Sequence, residues 1–60
     1  MSPKELIKGK FYLFDLQLKV EYHYETINHY VFQYENDFGK LMKMELTHSQ
    51  VINNVSEIKL

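Results

Sequence analysis

The sequence predicts a small α+β domain, mainly β. It reads as a four-stranded antiparallel meander with a short N-terminal helical turn and a C-terminal helix over residues 48–59. Three observations carry this. Aromatic residues make up 15 % of the chain and alanine is absent, a balance that favours pleated, half-buried surfaces over helices. Apolar residues recur at every second position in successive runs before Leu46, the period of a strand with one buried face. Beyond Leu46 the spacing lengthens to that of an amphipathic helix.

Ser2-Pro3-Lys4-Glu5 has the layout of a helix start, with serine at the cap, proline at the first helical position and a glutamate able to reach back. Gly9 follows too soon for more than about a turn or two. Its tolerance of positive φ suits a reversal into a first strand at residues 10–14.

The second strand is the clearest periodic signal. Leu18, Val20, Tyr22 and Tyr24 alternate with Lys19, Glu21 and His23. A third run, Tyr30-Val31-Phe32-Gln33-Tyr34, puts three aromatics on one face, and a fourth over residues 40–46 does the same with Met42, Met44 and Leu46.

Turn chemistry tests these faces, because a slip of one residue turns a strand inside out. Pairing Tyr34 with Met42 and Phe32 with Met44 leaves Asp37-Phe38-Gly39 as a loop with glycine where a left-handed conformation is needed. Pairing Tyr22 with Phe32 and Tyr24 with Tyr30 leaves Thr26-Ile27-Asn28, with asparagine in that role. The first hairpin pairs Tyr12 with Val20 through Asp15-Leu16-Gln17, a loop in which no residue favours positive φ. Tyr12 and Phe14 then face inwards, with Phe11 and Leu13 on the other side.

Thr47-His48-Ser49-Gln50 is a capping-box pattern. Val51, Ile52, Val55 and Ile58 follow at helical spacing, which sets the helix at 48–59. Asn53-Asn54 is poor in helix propensity, so the alternative is one helical turn and a strand over residues 55–60. The runner-up architecture is a five-stranded, SH3-like small barrel.

The pattern Gly9-Lys10-x-Tyr12-x-Phe14, Val20-x-Tyr22-x-Tyr24, Tyr30-Val31-Phe32 and Val51-x-x-x-Val55-x-x-Ile58 resembles small bacterial proteins of unknown function that carry a sheet and a terminal helix. The resemblance implies a fold and brings no activity with it.

At 60 residues the chain has room for one domain, and a domain of this size buries only about 60 % of its unfolded surface. Disulfides, a metal or association with another chain are the usual supports. With no cysteine, disulfides and thiolate zinc sites are out. No apolar run approaches the roughly 20 residues of a membrane helix, and a charged start in place of a signal's apolar segment points to the cytoplasm.

Chemistry-bearing constellations are sparse. His23, His29 and His48 share no metal-ligand spacing. Ser49 adjoins His48, but neighbours on a helix point in different directions, and Ser2 and Thr47 serve as caps. Two glycines make no phosphate loop. The sequence therefore predicts a protein without catalytic, cofactor or metal residues.

Two binding readings remain. Net charge is −1, distributed as +2 over residues 1–20, −4 over 21–37 and +1 over 38–60, with no arginine. That supplies little counterion release to a nucleic acid, so single-strand binding through Lys10, Lys19 and Lys43 is the secondary reading. The primary one lies on the sheet face away from the helix. Phe11, Leu13, Val31 and Leu41 project there among charges, with nothing in the chain to cover them. An apolar patch rimmed by charge is the usual form of an association surface, so the sequence predicts a small interaction module, self-associating or bound to another protein.

Overall fold

The computed structural model describes residues 1–59. A 3-10 turn over Pro3–Glu5 opens the chain, and the Ser2 hydroxyl accepts the Lys4 N–H at its start. Four strands follow, β1 (Phe11–Phe14), β2 (Leu18–Glu25), β3 (Tyr30–Glu35) and β4 (Leu41–Leu46), then a helix, α1 (His48–Asn54), and a short β5 (Val55–Glu57). All pairings are antiparallel, in the order β4-β3-β2-β1-β5. The α+β class with its N-terminal turn and C-terminal helix is as expected. The sheet is open, with β4 and β5 as its edges, so the barrel alternative supplies the strand count and not the closure.

The helix is shorter than helical spacing predicts. It ends at Asn54, and Val55–Glu57 pairs with β1 as a fifth strand. Two effects explain the correction. Asn53-Asn54 weakens helix continuation, and β1 presents an open edge whose backbone groups need partners. Val55 is buried in both readings, so its apolar character does not distinguish them. Leu60, the last residue of the alternative strand, lies outside the described residues.

The Thr47 hydroxyl accepts from Gln50 N–H while the Gln50 side chain accepts from Thr47 N–H, the reciprocal capping box read from the sequence. At the other end of α1 the Met1 nitrogen donates to the carbonyls of Val51, Ile52 and Val55 at 2.9–3.3 Å. This contact satisfies carbonyls at the end of the helix and ties Met1 to the helix–strand junction.

Residues directly opposite in a ladder share a face, so the register sorts the side chains. Tyr12, Val20, Tyr22, Phe32 and Leu46 lie on the inner face and join Val51 and Val55 in one core. The Tyr22 and Phe32 rings meet at 5.3 Å between centroids, tilted by 54°, a favoured aromatic geometry. Phe14, Tyr30, Tyr34 and Met44 pack at the edge of this core.

Two hairpins follow the predicted registers. β3 and β4 pair Tyr34 with Met42 and Phe32 with Met44, with Gly39 at φ +76°. The Asn36 carboxamide accepts from Phe38 and Lys40 N–H, both at 2.9 Å. β1 and β2 pair Tyr12 with Val20, through a turn in which Asp15 and Leu16 both have positive φ.

The β2–β3 hairpin departs from expectation. Tyr22 pairs with Phe32 as read, but a bulge at His23 shifts the register, so Tyr24 stands opposite Val31 and Glu25 opposite Tyr30. The loop is Thr26–His29, closed by the Thr26 N–H on the His29 carbonyl at 2.7 Å and by the Thr26 hydroxyl. Asn28 does not take positive φ. An extra residue in one strand reverses the facing of everything beyond it, which moves Tyr24 from the inner face to the outer one.

Candidate outer-face groove

The outer face is built in rows across the sheet. Lys43, Gln33, Glu21 and Phe11 form one row. The rungs Glu35–Leu41, Lys19–Leu13 and Leu13–Ser56 flank it on one side. Glu45, Val31 and Tyr24 lie on the other. Between the first two sets runs an open groove of about 530 Å³. Phe11, Leu41, Lys19, Glu21, Gln33 and Glu35 line it from the outer face, and Leu18 and Tyr34, whose side chains pack against the inner core, complete its border.

Of the four residues predicted to form an uncovered patch, Phe11 and Leu41 are exposed, at 43 % and 63 %, and both line the groove. Leu13 is half-buried. Val31 is 2 % exposed, which corrects the expectation that nothing covers it. The bulge at His23 is the physical reason. It places the Tyr24 ring beside Val31 on the outer face, with Glu45 on the other flank. No periodicity reveals a single inserted residue, so Tyr24 could not be read as part of this face.

The three lysines singled out from the sequence do not converge. Lys10 Nζ lies 3.6 Å from a Glu57 carboxylate oxygen and 5.6 Å from the Tyr12 ring centroid. Lys19 Nζ sits 4.7 Å over the Phe11 ring, a cation–π arrangement that holds the ammonium across the groove wall. Lys43 is exposed on β4, opposite Gln33. Glu21 and Glu35 outnumber Lys19 in the groove lining, so its field favours a cation over a phosphate backbone.

The histidines also stand apart. His23 Nε2 lies 3.3 Å from a Glu21 carboxylate oxygen on the outer face. His29 occupies the β2–β3 loop, and the His48 ring packs near Tyr30 at 6.3 Å. Among the described residues no group of three or more acidic or histidine side chains is placed to hold a metal ion. No helix among them is long and apolar enough to cross a membrane.

No protein-family model, curated protein or solved structure matches the chain.

Proposed function

We propose that this chain is a small, non-enzymatic protein-interaction module that meets polypeptide through the outer face of its sheet. The observation that carries the reading is the groove. Helix and N-terminal turn lie over the inner face, and the outer face holds exposed Phe11 and Leu41 around a concavity bordered by charge. An aromatic anchor in a concave, partly apolar site with a polar rim is the anatomy of a protein contact. Two glutamates against one stacked lysine favour a segment that offers an apolar side chain next to a basic one.

Selection from a displayed random-peptide library tests this. Enriched peptides should carry an aliphatic or aromatic residue beside lysine or arginine, and calorimetry should show their binding lost in Phe11→Ser and Leu41→Lys. Enrichment that both variants leave intact, or none at all, would sink the reading. Salt-sensitive binding of a single-stranded oligonucleotide, lost when Lys10, Lys19 and Lys43 are neutralised, would replace it with the secondary one.

A further inference from the structure

The two edges of the sheet are managed differently. β5 is three residues long, and its Val55 carbonyl accepts from the Met1 nitrogen. β4 has six residues, no proline and an uninterrupted register with β3. Only Leu46 of β4 is buried. A long, regular edge is a template for another strand. Lys43, lying on this edge, is the usual deterrent to such pairing, so its surroundings decide the outcome.

In an antiparallel ladder, opposed residues alternate between exchanging both backbone hydrogen bonds and exchanging none. The Asn36 N–H donates to the Lys40 carbonyl between β3 and β4. The alternation then turns the backbone groups of Met42, Met44 and Leu46 towards β3, and those of Leu41, Lys43 and Glu45 towards the open side.

We propose that a second copy of this chain occupies that edge, pairing β4 with β4 antiparallel about a two-fold axis at Met44. In this register Lys43 faces the partner's Glu45 and Glu45 faces the partner's Lys43, both as hydrogen-bonded pairs on the outer side. On the inner side Met44 meets the partner's Met44, and Met42 meets the partner's Leu46. Centring instead on Lys43 or Glu45 opposes like charges, which is unfavourable. The Met44 register matches charge with charge and apolar with apolar, as an isologous contact requires. It joins two five-stranded sheets into one of ten strands and adds buried surface to a domain short of it. The pairing uses the backbone edge of β4 and shares only Leu41 with the groove lining, so it does not rest on the groove reading.

Charge reversal tests the register. Light scattering over a concentration series should show dimer in the wild type. Lys43→Glu and Glu45→Lys should each raise the dimer Kd about tenfold or more. An equimolar mixture of the two should pair again, as should the double variant K43E/E45K. In the wild type, exchange of the Lys43 and Glu45 amide hydrogens should slow as concentration rises. Circular dichroism of each variant separates lost pairing from lost fold. A wild-type monomer throughout, a dimer indifferent to Lys43→Glu, or folded single variants that fail to pair on mixing would each overturn the proposal. A dimer lost in Phe11→Ser but kept in Lys43→Glu would assign association to the groove instead.

Discussion

Asn54 holds Asp15 twice. The Asn54 side-chain amide donates to the Asp15 carboxylate at 2.5 Å, and the Asn54 carbonyl accepts the Asp15 backbone N–H at 2.8 Å. The two residues lie 39 positions apart. One begins the β1–β2 turn and the other ends α1. The contact fastens the first hairpin to the point where helix becomes strand, and it pins a turn whose backbone is costly. Asp15 and Leu16 have φ of +54° and +61°, a region that costs a residue with a Cβ roughly 1–2 kcal/mol. Aspartate tolerates it better than leucine.

Removing the Asn54 contact and relieving the strain at Leu16 should therefore act in opposite directions. Asn54→Ala removes the side-chain bond and should cost about 1 kcal/mol. Leu16→Gly relieves the left-handed strain at a residue 77 % exposed, and should stabilise by roughly 0.5–1 kcal/mol, or about 4 °C in Tm for a domain of this size. Thermal unfolding followed by circular dichroism reads both. A lower Tm for Leu16→Gly would show that leucine makes a contact worth more than its strain.

The Tyr12 hydroxyl accepts the Ile7 N–H at 2.9 Å, from the most buried aromatic of β1. It anchors the segment between the N-terminal turn and the sheet to the core. Tyr12→Phe keeps the ring and its packing but leaves that amide without its acceptor, a loss of about 1–2 kcal/mol. Hydrogen exchange at Ile7 should accelerate before global unfolding does. Unchanged exchange there would mean that the amide has another partner.

The residues that were legible in the sequence are those where two signals agree. Gly39 and the alternation on both flanks specify the β3–β4 register together, and Thr47 with Gln50 specifies the helix start from four residues. The β2–β3 register failed because its alternation, continuous to Tyr24, is silent about an insertion at His23. That one residue moved Tyr24 outwards, buried Val31 and reduced the predicted apolar patch to Phe11 and Leu41. The end of the helix failed for another reason. Val55 suits either a helix face or a strand, and what decides between them is the free edge of β1, a long-range property that local spacing does not carry. Phe11 and Leu41 were legible as outward-facing residues, but the groove they share with Glu21 and Glu35 takes its lining from four different strands, which no local spacing brings together.

Ser56 stands opposite Leu13, and its buried hydroxyl has no hydrogen-bond partner among the described residues. A buried unpaired hydroxyl costs about 1–3 kcal/mol. Ser56→Ala should thus be neutral or stabilising by up to about 1 kcal/mol, read as an increase in the denaturant midpoint without a change in m-value. A clear destabilisation would reveal a bond that the hydroxyl makes through water.

Tyr22 should make the fold sensitive to alkali. Burial raises its phenol above the ordinary 10.0, and Glu25, Tyr30 and Tyr12 raise it further. The bulge contributes directly, since it sets Glu25 opposite Tyr30 and on the same face as Tyr22. In the unfolded chain the phenol ionises near its ordinary value. Its preference for the neutral form in the folded state is therefore fully stabilising below pH 10.0 and lost as pH rises above it through the folded value. Denaturant midpoints measured from pH 8 upwards should fall on the alkaline side, and fall less in Tyr22→Phe, which removes the ionisation while keeping the ring. Tyr24→Phe is the control, because that ring lies on the outer face and is 42 % exposed. Equal alkaline slopes in the two variants would mean that Tyr22 does not govern the transition.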